Sequence, residues 1–162
     1  MTQEGIVLAS RSDWSVLRPL LFESIGQTLE MVLITLVVGG FLGLVLGVVL
    51  YGTRPGNLFE NAVLYRVLDV IVNIIRPIPF IIFLAAMQPL TIKVVGTSIG
   101  TVAAIFPMII MCTVATSRLV EQNLVPVDPG VIEAARSMGA SKPTIVRTVL
   151  IPEALAPLIL AY

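Results

Sequence analysis

Apolar stretches long enough to cross a lipid bilayer alternate with short polar segments along this chain. Residues 31–51 and 94–117 contain no Asp, Glu, Lys or Arg. Because a membrane helix needs about 20 apolar residues, the pattern predicts an all-α membrane protein with three complete spans. We place these spans over residues 28–52, 62–91 and 94–118, a short connection at 91–93, and the start of a fourth span at 151–162.

A leader of mixed character, residues 1–27, precedes the first predicted span. Charged residues interrupt its apolar ones, and it lacks the basic start and compact apolar block of a cleavable signal peptide. Two interpretations remain open. The leader forms a short interfacial helix with Trp14 at the level of the lipid headgroups, or it is a flexible extension.

Glycine recurs every fourth residue in the first predicted span, at Gly39, Gly43 and Gly47. Residues four apart share one face of a helix, and small residues on that face let a second helix approach closely. We therefore predict that this face packs against another span.

The second predicted span carries polar residues that a helix surrounded by lipid would not tolerate. Arg66, Asp69, Asn73 and Arg76 follow at spacings of three, four and three residues, which places them on one helical face. Arg66 and Asp69 are close enough to form an ion pair. Because a charged group in lipid costs several kcal/mol unless it is paired or hydrated, this face is expected to point into protein, towards water or to the headgroups.

Prolines interrupt the same span. Pro77 and Pro79 remove backbone donors and crowd the preceding turn, so we expect the helix to break there. Such breaks are tolerated beside protein or a water-filled cavity and are common in transporters, although a simple kink explains the prolines equally well. Residues here and in the third span are candidates for lining a solute pathway, with helix packing as the alternative role: Asn73, Arg76, Pro77, Pro79, Pro107 and Met108.

The longest polar segment, residues 121–150, contains its own helix start and stop signals. Asp128 is a favourable N-cap and Pro129 suits the first helical position. Gly139 is placed to end this helix in the left-handed conformation. Ser141 is then predicted to cap a second helix, which leads into the next span.

The first of these two helices has the character of a docking element. Ala134 and Ala135 are small and let a groove hold the helix closely, while Glu133 and Arg136 offer polar handles. A short helix seated in a cleft transmits rigid-body motion to the spans attached to it, and this role needs no catalytic residue. A solvated connector explains the segment equally well. Pro152 is predicted to mark the entry to the fourth span.

Composition narrows the possible functions. The chain is 57% hydrophobic and 12% charged, whereas soluble proteins are about 25% charged. It has zero net charge and no histidine, which argues against nucleic-acid binding and removes the commonest general base and metal ligand. With the single Cys112 inside an apolar run, we predict no catalytic residue and no metal site. An intramembrane enzyme is disfavoured, and a non-transporting scaffold or remnant remains an alternative.

Basic residues set the expected orientation. Six of them fall on one side of the predicted topology: Arg54, Arg66, Arg118, Arg136, Lys142 and Arg147. Arg11, Arg18 and Lys93 fall on the other side. Because basic residues are enriched in cytoplasmic segments, we predict a multi-pass protein with a cytoplasmic polar segment, an extracytoplasmic leader and an outside N-terminus.

The polar segment resembles the Glu-Ala-Ala loop of bacterial ABC-importer permeases. Glu133-Ala134-Ala135 is followed by Gly139 after three residues, and by Val149-Leu150-Ile151-Pro152 after nine more. Val127-Asp128-Pro129 before the motif also fits. Further stretches, which extend the resemblance over roughly residues 28–162, are similar to permeases of methionine importers: 50–56, 71–82, 95–100 and 133–155.

The resemblance implies a type I permease bundle of five spans in the bacterial inner membrane, incomplete in this chain, so we expect a C-terminal truncation. It implies a permease homodimer, an extracytoplasmic substrate-binding (lipo)protein, and two ATPase subunits that bind the loop, ATP and Mg²⁺. The chain itself is then expected to hold no cofactor and to import methionine or a related amino acid. The residues expected to couple to the ATPase are Asp128, Pro129, Glu133, Ala134, Ala135, Arg136, Gly139 and Pro152.

Overall fold

The computed structural model describes residues 14–153 and 155, and all regular structure in this part of the chain is helical. We number the α-helices in chain order: α1 (Trp14–Ile34), α2 (Gly40–Thr53), α3 (Ala62–Ile75), α4 (Phe80–Val95), α5 (Thr101–Leu124), α6 (Pro129–Ser137) and α7 (Lys142–Ile145). A π-helical segment over Thr35–Gly39 joins α1 to α2, and a second one over Val146–Leu150 follows α7.

The first span is one continuous helix through α1, the π segment and α2. Leu17–Thr53 is long and apolar enough to cross a membrane. Its 37 residues extend about 55 Å, which exceeds the roughly 30 Å thickness of the hydrocarbon core. The boundary that we predicted at residues 27 and 28 falls inside this helix, because no strong helix breaker lies there. The leader is therefore helical from Trp14 onwards, and residues 1–13 lie outside the described residues.

The first and third spans pack along the glycine face that the sequence predicts. A Cβ atom built on Gly47 would lie 2.5 Å from Cβ of Val120. The same close approach recurs along the helices, where Gly39 faces Cys112 and Gly43 faces Thr116. We call this contact the glycine seam. Both series of residues rise in steps of four, so α5 runs parallel to the first span.

The second predicted span consists of two helices rather than one. α3 ends at Ile75, α4 begins at Phe80, and their axes are bent by 114°. A simple kink is therefore wrong, and the prolines break the helix because Pro77 and Pro79 supply no N–H to continue it. Counted as one broken span, the pair raises the number of membrane-crossing candidates in the described residues from two to three.

The connection to the third span lies later than predicted. Residues 91–93 belong to α4, and Lys93 occupies its last turn, where a positive charge suits the helix dipole. The chain turns at residues 96–100 instead. Gly96 and Gly100 have φ angles of 87° and 99°, in the region that glycine adopts without steric cost. The third span thus begins at Thr101 rather than near residue 94.

The third span also ends later than predicted, since α5 continues beyond Arg118 to Leu124. Arginine is a good helix former, and the charge of Arg118 is paired with Asp69 and Glu121. The end of α5 enters the larger of the two buried apolar clusters found among the described residues. This cluster joins α2, α5 and the polar segment, and we call it the junction core. Its members are Val48, Tyr51, Leu58, Val120, Leu124, Ala135, Ile145 and Leu150.

Candidate functional site

The first helix of the polar segment begins as the sequence predicts. Asp128 caps α6, and its Oδ1 accepts a hydrogen bond from the backbone N–H of Gly130 at 2.8 Å. Pro129 occupies the first turn of the helix. Its missing N–H removes no hydrogen bond, because the first N–H groups of a helix have no partner within the helix.

Gly139 ends α6 in a Schellman motif, with a φ angle of 82°. The N–H of Gly139 donates to the carbonyl of Arg136 at 2.9 Å, and the N–H of Ala140 donates to the carbonyl of Ala135 at 3.0 Å. These two bonds satisfy carbonyls that the helix end would otherwise leave free. A Cβ atom on Gly139 would meet no described atom within 4 Å, so the backbone conformation and not the available space requires glycine.

The second helix differs from the prediction at both ends. Ser141 precedes α7, but its hydroxyl lies 2.8 Å from the hydroxyl of Thr144 and makes no capping bond to a backbone N–H that the structure describes. Pro152 does not interrupt the chain, since helical structure continues through Glu153. A proline ring crowds the preceding turn of an α-helix, and the chain widens into the π segment Val146–Leu150 just before it.

Helix α6 turns one face to the protein and the other outwards. Glu133, Ala134 and Arg136 are exposed, whereas Ala135 is 9% exposed and belongs to the junction core. Helical spacing places Ala135 on the inner face with Ile132, while Ala134 lies on the outer face. That both alanines contact a partner stays a prediction. The outer residues, which we call the docking face, are Gly130, Glu133, Ala134, Ser137 and Met138.

Apolar contacts seat the polar segment on the spans. Ile145 and Leu150 have no exposed surface. They pack in the junction core with Leu58, from the turn after the first span, and with Leu124 at the end of α5. The segment is therefore fixed to both members of the parallel helix pair.

The turn after the first span, residues 54–61, forms the other half of this seat. The side-chain amide of Asn57 donates to the carbonyl of Tyr51 at 2.6 Å and holds the turn against the end of α2. Nζ of Lys142 lies 5.6 Å from the centroid of the Phe59 ring, within the range of a cation–π contact. Polar and aromatic contacts thus supplement the apolar ones.

Charged side chains from different helices meet beside the seat. Arg118 of α5 contacts Asp69 of α3 and Glu121 of its own helix, and it donates to Oδ1 of Asn73 at 2.6 Å. Nε of Arg54, the residue after α2, lies 3.8 Å from Oε1 of Glu121. We call these five residues the ion-pair network.

Sequence reasoning missed this network. It proposed Arg66 as the partner of Asp69, whereas the structure pairs Asp69 with Arg118 and leaves Arg66 exposed. Residue spacing indicates the contacts within each helix, since Arg118 and Glu121 are three residues apart and Asp69 and Asn73 are four apart. Which two helix faces meet depends on how the 114° bend orients α3, and the sequence does not indicate that orientation.

The structure divides the candidate pathway residues between two places. Asn73 belongs to the ion-pair network, where its side-chain amide also donates to Asp69 at 3.0 Å. Arg76, Pro77 and Pro79 lie exposed at the break between α3 and α4. The break is therefore next to the network, on the same helix as Asn73.

The other two candidates lie in the third span. Pro107 is buried and lines a cavity of about 460 Å³ between α4 and α5, together with the polar residues Gln88, Thr91 and Ser98. Met108 is partly buried beside it in sequence. None of the described lining residues is charged, so the cavity offers no counter-charge for the amino or carboxylate group of an amino acid.

These features define a helical membrane protein with a structured polar segment seated on its spans. Residues 39–162 match the family described as binding-protein-dependent transport system inner membrane component, and the chain belongs to this family. The D-methionine transport system permease protein MetI of Escherichia coli (strain K12) is 48% identical over 140 residues, which cover 86% of this chain and 64% of that protein. The resemblance to ABC-importer permeases is thereby confirmed.

Two further comparisons agree. The methionine import system permease protein MetP of Bacillus subtilis (strain 168) is 44% identical over 110 residues, which cover 68% of this chain and 50% of that protein. A structure of the MetNI methionine ABC transporter in an inward-facing conformation matches with a TM-score of 0.78 at 43% identity, covering 99% of this chain and 69% of that chain. The chain thus spans 64% of the length of the E. coli relative.

Proposed function

We propose that this chain is part of the transmembrane permease subunit of an ATP-driven importer for methionine or a related amino acid. The observation that carries the proposal is the polar segment. It is a capped helix with an exposed docking face, seated through buried residues on two parallel spans. Family membership and the names of the relatives support the transport role.

In this proposal the docking face of α6 enters a cleft of a cytoplasmic ATPase subunit. The partner ATPase binds ATP and Mg²⁺, and this chain holds no cofactor. Ala135, Ile145 and Leu150 tie the segment to the junction core. A displacement of α6 therefore moves α2 and α5 with it, because close-packed interiors transmit strain.

The complete assembly is a permease homodimer with two ATPase subunits and an extracytoplasmic substrate-binding (lipo)protein. The translocation path lies between the two permeases in the bacterial inner membrane, with the N-terminus outside and the polar segment in the cytoplasm. The excess of basic residues in the polar segment and in the turn after the first span supports this orientation. The choice of methionine rests on the relatives.

Substitution of one residue on the docking face tests the coupling role. In the full-length permease, reconstituted with its ATPase and binding protein, we expect Glu133→Lys to abolish ATP-driven uptake of labelled methionine while the protein stays in the membrane. The reason is that the change reverses an exposed charge at the proposed contact. Glu60→Lys is the matched control, since Glu60 is exposed in the turn after the first span and lies off the docking face. Normal uptake by Glu133→Lys would refute the proposal.

A further inference from the structure

The ion-pair network connects helices α3 and α5, and the structure describes no other polar contact between these two helices. Asp69 and Asn73 are on α3, just before the break at residues 76–79. Arg118 and Glu121 are in the last part of α5. Only residues 125–128 separate the end of α5 from α6. The network therefore joins the broken crossing to the helix that carries the docking segment.

Arg118 is the centre of this connection. Its side chain is 11% exposed, and its guanidinium contacts a carboxylate on each side: Asp69 on α3 and Glu121 on α5. It also donates to Asn73 at 2.6 Å. The planar guanidinium makes such bonds in a fixed fork geometry, so the network fixes the position of α3 along α5 as well as its distance.

Glu121 adds a second tie. Its side chain is 4% exposed, and Nε of Arg54 lies 3.8 Å from its Oε1. That oxygen is buried and has no hydrogen-bond partner among the described residues. The guanidinium of Arg54 also lies 5.7 Å from the centroid of the Tyr65 ring on α3. Arg54 thus links the end of α2 to the same two helices.

Apolar packing between α3 and its neighbours is comparatively small. The buried cluster there contains Leu50, Val72 and Val114, and the α3 residues Tyr65, Leu68 and Ile75 pack against it while only partly buried. Apolar side chains hold two helices together without specifying direction. The directional bonds of Arg118 therefore add to this packing a fixed orientation of α3 relative to α5.

We propose that Asp69, Asn73, Arg118 and Glu121 are positioning residues that transmit displacement of the docking segment to the broken second crossing. This inference rests on the proposed transport function. In this account, a pull on α6 moves the end of α5, Arg118 carries Asp69 and Asn73 with it, and the angle at the break changes. A different role for the same contacts is charge neutralisation alone, which would make any apolar replacement of equal volume acceptable.

The experiment compares ATP hydrolysis with solute uptake in the full-length complex in proteoliposomes. The main variant replaces the charges together, with Arg118→Met, Asp69→Leu and Glu121→Leu. We expect it to assemble and hydrolyse ATP as the wild type does, while the methionine taken up per ATP hydrolysed falls about tenfold, within the usual range of coupling between sites. Arg66→Met is the matched control, because Arg66 is an exposed arginine on the same helix outside the network. Its ratio should be unchanged.

A milder variant keeps the test decisive if the triple variant does not assemble. Asn73→Leu removes one bond to Arg118 from an exposed position, and we expect it to lower the uptake ratio severalfold at unchanged abundance. A wild-type ratio in any assembled variant, triple or single, overturns the inference and leaves charge neutralisation as the role. If the wild-type complex takes up no amino acid on ATP addition, the proposed function itself fails, and the two failures are distinct.

Discussion

The first and third spans touch through their backbones, whereas the second crossing is joined to them mainly through side chains. At the glycine seam, a Cβ atom on Gly43 would lie 2.9 Å from the backbone oxygen of Thr113. The second crossing is bent by 114° and meets α5 through Arg118. The two contacts also differ chemically, since one sets glycine against uncharged atoms of α5 and the other depends on charged groups.

The two kinds of contact suit different mechanical roles. Close backbone contact permits one register, because any sliding brings side chains into collision. The parallel pair is therefore suited to carry the polar segment as a rigid unit. Helix α3 has Val72 as its one fully buried apolar residue and bonds to α5 through Arg118, so this half of the second crossing is suited to respond. Two changes test this contrast and a third tests the polar segment that the parallel pair carries, in order of decreasing effect on stability.

The largest effect is expected from Arg118→Met alone, which removes the arginine shared by Asp69 and Glu121 and leaves Glu121 with Arg54 at 3.8 Å. Breaking a buried ion pair from one side costs about 3–5 kcal/mol, and we expect the lower end because the Asp69 side chain is 28% exposed. Chemical unfolding of the full-length permease in detergent measures the loss. The triple apolar variant should recover most of the lost free energy of unfolding. If Arg118→Met alone is as stable as the wild type, the network contributes nothing to stability.

A smaller effect is expected at the glycine seam. Gly47→Ala places a Cβ atom 2.6 Å from the backbone oxygen of Ser117, and overpacking of this kind typically costs about 1–3 kcal/mol. Gly40→Ala is the control, because a Cβ atom there meets no described atom within 4 Å, and alanine favours a helix by about 1 kcal/mol. The same unfolding assay should separate the two variants. Equal stabilities would contradict the account of the seam.

The smallest effect on stability, with a large effect on function, is expected at Gly139. Gly139→Val forces a β-branched residue to a φ angle of 82°, at a cost of about 1–2 kcal/mol. We expect the substitution to disrupt the Schellman motif and not the spans. Uptake should then be abolished while the amount of protein in the membrane is unchanged. Asparagine tolerates this conformation better than other residues, so Gly139→Asn should retain uptake. Immunoblotting and transport assays decide, and full uptake by the valine variant counts against the docking role.

Local signals explain what the sequence predicts well. The cap at Asp128, the end of α6 at Gly139 and the packing face of Gly39, Gly43 and Gly47 each depend on residues within one or two turns. The chemistry of these residues requires those conformations in almost any surroundings. The corresponding parts of the fold are therefore predicted residue by residue.

Some errors are local, as at Ser141, whose hydroxyl lies beside that of Thr144, and others depend on distant residues. Asp69 pairs with Arg118, 49 positions away, and no local signal near either residue indicates this pair. The burial of Ala135 likewise depends on the junction core, which includes residues from α2 and α5. A single sequence shows which residues share a helix face but not which faces meet, and that is why the ion-pair network was missed.

In the proposed function, the docking face of α6 contacts an ATPase subunit while its inner face packs in the junction core. Neighbouring alanines offer a direct test by cysteine cross-linking in the full-length complex, on a Cys112→Ser background. Ala134 is exposed and Ala135 is 9% exposed. We expect Ala134→Cys to cross-link to the ATPase and Ala135→Cys not to. Cross-linking through Ala135→Cys, or none through Ala134→Cys, would contradict the proposed contact.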